Sequence, residues 1–180
     1  MKILSKLKIV IAIIALTSFT ISCDNDDDMP ADNTITGIAK TNPNLTILVQ
    51  ALVKADLATT LQGVGPFTVF APTDAAFTAF LKTTPYATIN DVPKETLTQI
   101  LLNHVVSGKV KSTDLSTGYV KTLAKSATSG SNTMSMYVDL TSGVKLNGGS
   151  KVTIADVMAT NGVVHVVDAV INLPTIVTHA

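Results

Sequence analysis

Three histidines are the side chains best able to act as general bases or metal ligands near neutral pH. They are His104, His165 and His179, and their separation gives neither HxH nor HExxH spacing. A zinc site needs several such ligands at characteristic spacing, so the sequence predicts no metal site. His165 alternates with Val163 and Val167 along an apolar run. This setting favours a hydrogen-bonded core histidine over a catalytic base.

The chain also lacks the short motifs by which common classes of enzyme are recognised. Neither GxSxG nor a glycine-rich phosphate loop of the GxGxxG or GxxxxGKS type occurs. Glu95 is the single glutamate, so a glycosidase would need a pair of aspartates without motif support. We therefore expect a protein that is not an enzyme and that takes no cofactor.

The composition argues against further classes of protein. Of the 180 residues, 46% are hydrophobic and 14% are charged, which argues against a disordered chain. The 13 basic residues, all of them lysine, balance 13 acidic residues, and aromatic residues make up only 4%. Nucleic-acid binding needs a basic surface and stacking rings, so we expect no nucleic-acid partner. A single cysteine forms neither an internal disulfide nor a thiolate zinc site.

The first 22 residues have the organisation of a secretory signal peptide. Three lysines precede an apolar run at residues 9–16, which is shorter than the ~20 residues of a membrane span. The sequence before Cys23 resembles a bacterial lipobox, in which a peptidase cuts just before a lipid-modified cysteine. Thr20 stands where that motif usually carries leucine. We predict a lipoprotein signal peptide over residues 1–22 and lipidation of Cys23; the alternative is an ordinary secreted protein with a chance cysteine.

Residues 23–34 are predicted to form an acidic, flexible tether. Four aspartates lie within residues 24–28, and such a segment cannot bury apolar surface. The lipobox resemblance implies at least two acyl chains on Cys23, which suffice for stable membrane attachment. In some Gram-negative groups an acidic run here resembles a surface-export signal, and in others an aspartate after the cysteine resembles an inner-membrane retention signal. We expect the cell envelope, with the outer membrane and cell surface favoured over the periplasmic face.

The remaining chain has the pattern of one domain with helices first and short strands later. Pro43 opens a helical pattern of apolar residues. A β-prone run at residues 67–71 leads into a helix over residues 75–81, with Thr73 or Asp74 as its N-cap. Short β-prone runs follow at residues 119–123, 134–140, 144–146, 152–154 and 162–171. This order predicts an α+β fold.

Two segments of this domain resemble the signatures of the fasciclin (FAS1) domain. Residues 65–77 read GPFTVFAPTDAAF, and residues 161–168 read NGVVHVVD. Between them, Asn103 and His104 fall where the family has a Tyr-His pair, with asparagine in place of tyrosine. Three motifs in the right order are a specific signal, and the likeness extends over residues 35–177.

The resemblance implies both a fold and a function. The fold would be a compact wedge or sandwich of short β-strands flanked by several helices. Thr73, Asp74 and His165 belong to the two signatures and are expected to have structural roles. The family implies a role in adhesion, or in contact with extracellular matrix and polysaccharide, without catalysis.

The same resemblance also suggests candidate sites for a partner. Asp156 and Val157, followed by Met158, resemble the Asp-Ile motif that is implicated in integrin binding in animal members. Asn103 and His104 occupy the Tyr-His position, which has been linked to adhesion. An exposed Asp156 carboxylate would bind a cation or hydroxyl groups of the partner. The alternative for Asp156 is a turn or cap residue that accepts from nearby backbone N–H groups, and for His104 a structural role.

Together these features predict a non-catalytic envelope lipoprotein whose fasciclin-like domain mediates adhesion or binds extracellular matrix or polysaccharide. Its expected partners are a membrane, through the N-terminal lipid, and a matrix protein or polysaccharide. The alternative is an envelope protein that faces the periplasm and binds a glycan or a small ligand. The oligomeric state is not predicted.

Overall fold

The computed structural model of the chain describes residues 32–125 and 132–173, which contain five α-helices and seven strands. The helices are α1 (Ile35–Thr41), α2 (Thr46–Lys54), α3 (Ala58–Gln62), α4 (Asp74–Lys82) and α5 (Lys94–Asn103). The strands are β1 (Phe67–Pro72), β2 (Val105–Ser107), β3 (Gly118–Lys125), β4 (Thr133–Asp139), β5 (Lys145–Leu146), β6 (Ser150–Ala159) and β7 (Gly162–Val167). Short 3-10 helices occupy Pro43–Leu45 and Ser112–Asp114. The α+β class predicted from the sequence is confirmed.

Several of the sequence predictions lie outside the described residues. These are the signal peptide at residues 1–22, lipidation at Cys23, most of the tether at residues 23–34 and the last residues of the predicted domain, 174–177. Across residues 32–125 and 132–173, no helix is both long and apolar enough to cross a bilayer.

Helix α4 begins as the sequence predicted, with a threonine cap directly after β1. The Thr73 side chain accepts a hydrogen bond from the Ala76 N–H (3.2 Å), which satisfies a donor that the first helical turn leaves unpaired. Asp74 is the first residue of the helix, and its carboxylate accepts from the Ile47 N–H (2.7 Å). Asp74 therefore ties α4 to the start of α2.

The seven strands pair in one closed order from β1 to β7, and β7 returns to pair with β1. The β1–β7 pair is parallel, with Phe70 opposite His165, and all other neighbouring strands are antiparallel. The two signature segments therefore lie side by side in the sheet. Strand β7 is buried throughout, as expected for a nearly continuous run of valines. It ends at Val167, earlier than the predicted residue 171.

The Asn161-Gly162 pair fixes the point where β7 enters the sheet. A Cβ at Gly162 would lie 2.0 Å from the Phe67 carbonyl oxygen, so only glycine allows β1 and β7 to approach this closely. The Asn161 amide nitrogen donates to the Leu61 carbonyl oxygen (2.7 Å), and its amide oxygen accepts from the Ile35 N–H (3.0 Å). These contacts hold α1 and α3 against the start of β7.

The strands separate two apolar clusters. The larger cluster joins the helices to the sheet and includes Phe77, Leu97 and Val69. The smaller cluster comprises Phe70, Leu115, Met136, Val138, Leu146, Val167 and Ile171. Because neighbouring residues of a strand point to opposite faces, β1 contributes Val69 to one cluster and Phe70 to the other.

Strand β6 is interrupted by a β-bulge at one of the predicted site residues. The pairing register with β7 shifts between Ile154 and Val157, so Ala155 and Asp156 together face His165. Asp156 has a φ of 59°, in the left-handed region that aspartate tolerates better than most residues. Asp156 therefore lies within a bulged strand, whereas the structural alternative drawn from the sequence placed it in a turn or at a cap.

Candidate binding surfaces

Asp156 is bonded to a segment that is distant in the chain. Its carboxylate accepts from the Ser112 N–H (2.7 Å) and from the Ser112 hydroxyl. These two hydrogen bonds lower the pKa of the Asp156 carboxyl below its ordinary value, because they stabilise the ionised form. Asp156 therefore holds the 3-10 helix at Ser112 against β6. Asp156 thus accepts hydrogen bonds from the backbone, as the structural alternative for this residue expected. The donor N–H group lies 44 residues away in the chain and does not belong to a nearby turn.

His165 continues this set of hydrogen bonds into the interior. The Asp156 N–H donates to Nδ1 of His165 (3.2 Å), so we assign the ring hydrogen to Nε2, which donates to the Val110 carbonyl oxygen (3.0 Å). The ring is fully buried and stacks on Phe70, with centroids 5.3 Å apart. This geometry fits the structural role expected for His165.

The cluster of Ser112, Asp156 and His165 has the residue types of a hydrolase triad. Its hydrogen bonds are arranged differently from those of a triad. In a triad the histidine accepts from the serine hydroxyl, and the carboxylate orients the histidine. Here the Ser112 hydroxyl donates to Asp156, whose lowered pKa makes it a weak base, and both nitrogens of His165 contact backbone groups. Within the described ranges, no group of three or more His, Cys, Asp or Glu residues could hold a metal ion.

Two exposed apolar side chains flank Asp156 along β6. Ile154 is 54% exposed and Met158 is 46% exposed. Val157 is partly buried and packs against the larger apolar cluster. Of the three residues predicted to form a partner site, Met158 therefore offers the largest exposed apolar side chain. We call Ile154, Asp156 and Met158 the β6 surface.

Asn103 and His104 lie inside the molecule, with exposed fractions of 0% and 2%. The Asn103 amide nitrogen donates to the carbonyl oxygens of Ile171 (3.3 Å) and Asn172 (3.2 Å), and its amide oxygen accepts from the Thr122 hydroxyl (3.2 Å). A partner cannot reach side chains that are buried and already hydrogen-bonded. The expectation that Asn103 and His104 contact a partner is therefore corrected: both residues have a structural role.

His104 holds the segment after β7 through both ring nitrogens. Nδ1 donates to the Ile100 carbonyl oxygen (2.8 Å), and Nε2 accepts from the Ile171 N–H (2.8 Å). Only the neutral ring makes both bonds. Burial lowers the pKa of His104 to about 4, because the interior disfavours the charged form. His104 is therefore neutral at neutral pH.

A groove outside the predicted sites lies between β3, β4, the β5–β6 turn and the segment after β7. Tyr119 and Tyr137 face each other across β3 and β4, with ring centroids 5.1 Å apart, and Tyr119 is 63% exposed. The groove has a volume of about 330 Å³. Its walls are Tyr119, Tyr137, Leu146, Asn147, Gly148, Gly149, Ser150 and residues 170–173. We call it the tyrosine groove.

The tyrosine groove was not among the sites predicted from the sequence. The available signals were two tyrosines in β-prone runs and the Gly148-Gly149 turn between two short strands. Which ring lies opposite which depends on the β3–β4 register, and the local sequence does not set that register. The segment that forms the opposite wall is placed by buried side chains that are distant in the chain.

A family model of the fasciclin domain matches residues 43–174, which include both signature segments. The chain belongs to the fasciclin domain family. The matched range lies within the predicted fasciclin-like range of residues 35–177, and helix α1 precedes it.

Two relatives of this fasciclin domain come from Synechocystis sp. (strain ATCC 27184 / PCC 6803 / Kazusa). Protein sll1483 is 39% identical over 142 residues, covering 78% of this chain and 74% of its own length. Protein sll1735 is 36% identical over 137 residues, covering 76% of this chain and 96% of its own length. The likeness therefore extends over most of each chain.

A solved structure supports the same fold. It is a FAS1 domain pair from the insect cell adhesion molecule Fasciclin I, with a TM-score of 0.62 and 18% identity. The match covers 78% of this chain and 51% of that chain, so this chain spans about half the length of the pair. Identity this low shows the fold alone, and the predicted fasciclin-like fold is confirmed. Membership in the family fits a role in cell adhesion or binding in general.

Proposed function

We propose that this chain is a non-catalytic lipoprotein of the cell envelope that presents its fasciclin domain for adhesion to extracellular matrix or polysaccharide. The observation that carries the proposal is the β6 surface, where Ile154 and Met158 expose apolar side chains on either side of Asp156. The pairing register places Ile154 opposite Val166 and Met158 opposite Val163, so the two side chains point to opposite faces of β6 and a partner that contacts both must pack on both faces of the strand. Family membership supports adhesion or binding as the general role.

The proposed role of Asp156 differs from direct coordination of a partner. Its carboxylate is engaged with Ser112, so it supplies a negative charge and fixes the local backbone while Ile154 and Met158 make the contact. Apolar side chains at the centre of an interface usually contribute more binding energy than charges at its rim. The affinity of one such small surface is low, and many copies on one cell supply avidity.

The geometry of the Ser112, Asp156 and His165 cluster fits a binding role better than a catalytic one. The Ser112, Asp156 and His165 cluster has hydrogen bonds that stabilise the β-bulge, and its histidine is buried. A substrate cannot reach a ring whose two nitrogens both contact backbone groups inside the fold. We accordingly propose no reaction for this domain.

The adhesion test uses cells that make the full chain with both exposed β6 side chains changed. Ile154→Thr combined with Met158→Thr keeps the β propensity of the strand and removes the apolar contacts. Adhesion to matrix or polysaccharide should fall several-fold. Val53→Thr, which changes an apolar side chain of α2 that is 59% exposed, is the matched control and should adhere normally. Normal adhesion of the double variant would show that the β6 surface is not the contact.

The proposed anchor is tested separately at Cys23. The apolar run, the acidic residues behind the cysteine and the lipobox resemblance support it. Cys23→Ala should lose metabolic acyl label and leave the membrane fraction. Retention of the variant in the membrane would contradict lipid anchoring through this residue.

A second candidate function is an envelope protein that faces the periplasm and binds a glycan or a small ligand. The tyrosine groove favours it, because concave sites with aromatic walls and a few polar groups are typical of small-ligand binding. Protease treatment of intact cells separates the two candidates. Cleavage of the domain supports display at the cell surface, whereas complete protection supports the periplasmic face.

A further inference from the structure

We propose that the tyrosine groove binds a sugar ring of a neutral oligosaccharide or polysaccharide. This inference rests on the proposed role of the domain in polysaccharide contact and names the site and the ligand class. It concerns a surface separate from the β6 surface, since the walls of the groove include none of its residues.

The two tyrosines give the groove an aromatic wall. Tyr119 and Tyr137 are directly opposite residues of β3 and β4, with ring centroids 5.1 Å apart and ring planes inclined by 57°. A cross-strand pair of this kind holds both rings in place. The faces of aromatic rings are electronegative and attract the electropositive C–H groups on the apolar face of a sugar. Tyr119 is exposed enough to make that contact.

Two asparagines supply the polar groups that hydroxyl groups require. The amide oxygen of Asn147 accepts from the Tyr137 N–H (2.8 Å), and this bond fixes the side chain with its NH₂ group as the remaining donor. Asn172 is an exposed residue on the opposite wall and adds a second amide. Amide groups both donate and accept, which suits hydroxyl groups that do the same.

The opposite wall of the groove is held in place before any ligand binds. Ile171 is fixed through its carbonyl oxygen by Asn103 and through its N–H by His104. The carbonyl oxygen of Asn172 accepts a further bond from Asn103. A wall that is already ordered lowers the entropic cost of binding. The buried Asn103-His104 pair thus shapes a surface that it does not itself reach.

The absence of charge in the walls selects a neutral ligand. None of the described residues that line the groove is Asp, Glu, Lys, Arg or His. An ionic sugar would lose hydration at this surface without gaining a partner charge. The volume of about 330 Å³ lies at the small end of the ~300–1,000 Å³ range of ligand sites. Such a volume suits a short stretch of a sugar chain.

The test titrates the full chain with cellohexaose, maltohexaose and xylohexaose as neutral probes and hexagalacturonate as the charged probe. The chain contains no tryptophan and three tyrosines, two of them in the groove, so tyrosine fluorescence reports on the site directly. We expect saturable binding of at least one neutral probe and none of the charged probe. Isothermal titration calorimetry gives the affinity.

Two variants change the groove in different ways. Tyr119→Ala should weaken binding of the neutral probe about tenfold, as expected for loss of one stacking ring, whereas Tyr119→Phe should retain it. Gly149→Leu should abolish binding by filling the groove, and its Cβ meets no atom within 4 Å, so the turn accommodates it. Val53→Ala is the control for loss of an exposed apolar side chain elsewhere and should bind normally.

The outcomes separate this inference from the proposed function. If the wild type binds a neutral probe and the groove variants bind equally well, the groove assignment is wrong while polysaccharide contact stands. If the wild type binds none of the neutral probes, the saccharide assignment is wrong, and residues 174–180 or another partner become the candidate occupants. Preference for hexagalacturonate would also overturn the proposal, because it requires a charged site.

Discussion

Protonation of His104 is predicted to destabilise the domain well above the pH at which its carboxylates titrate. Burial lowers the pKa of His104 to about 4 in the folded chain, against 6.5 for the ordinary side chain. The unfolded chain therefore takes up this proton at higher pH than the folded chain. It follows that the stabilisation is fully present above pH 6.5 and is lost as the pH falls toward about 4.

The size of the effect follows from the same pKa difference. Each pKa unit corresponds to about 1.4 kcal/mol, so the complete loss is about 3 kcal/mol, of which about 2 kcal/mol occurs between about pH 7 and about pH 5. Four carboxyl groups also have a lowered pKa, those of Asp32, Asp91, Asp139 and Asp156. Their contribution to the free energy of unfolding is lost only as the pH falls below the ordinary value of 3.8. The range above about pH 5 therefore separates the effect of His104 from that of these carboxyl groups.

Urea unfolding of the wild type and of His104→Gln across this range measures the effect. Glutamine hydrogen-bonds but does not titrate, and every other titratable group is common to both proteins. The free energy of unfolding of the wild type should fall by about 2 kcal/mol from about pH 7 to about pH 5, and that of the variant by much less. NMR titration of the His104 ring should give a pKa near 4. Equal losses in the two proteins would refute this account of His104.

Two further substitutions test the packing of the sheet and the bulge. Gly162→Ala should lower the free energy of unfolding by about 2–4 kcal/mol in urea unfolding, because the added Cβ would meet the Phe67 carbonyl oxygen. Gly149→Ala is the control, since its Cβ would lie in open space, and it should change that free energy by less than about 0.5 kcal/mol. Asp156→Ala should lower the unfolding free energy by about 1–3 kcal/mol, because it removes both acceptors of Ser112 and places alanine at a φ of 59°. Asp156→Asn, which tolerates that backbone, should cost less in thermal unfolding, and an equal cost would contradict the backbone part of the argument.

Local elements of the fold could be predicted because their signals are short in sequence. The β-prone run of β1, the Thr73 cap and the start of α4 all fall within a few residues of one another. The valine run of β7 likewise predicted a buried strand, although not where that strand ends. Asp168 interrupts the apolar run directly after Val167, and β7 ends there because the Asp168 carboxylate accepts from the Lys151 N–H.

Contacts between distant segments could not be predicted in the same way. The partner of Asp156 lies 44 residues away, and nothing around either residue specifies the other. The bulge that gives Asp156 its conformation depends on the register with β7, which is a property of two paired strands. The candidate motif therefore falls on β6, and the pairing of that strand determines which of its side chains are exposed. Ile154, which the sequence motif did not include, offers more exposed surface than Val157.

The burial of the Asn103-His104 pair could not be predicted from the local sequence. The position of the pair between a helix and a strand is compatible with exposure, and polar residues are mostly exposed. Their burial becomes evident only once the segment at Ile171 is known to fold over them. The pair thus positions one wall of the tyrosine groove, because it holds the backbone of that wall by hydrogen bonds.

The most direct test of the account is retention of cells under flow on a surface coated with extracellular matrix or polysaccharide. Cells that make the full chain should be retained in greater number than otherwise identical cells that lack it, and external protease should remove the difference. Equal retention of the two kinds of cell would contradict the proposal that this fasciclin domain is an adhesion module.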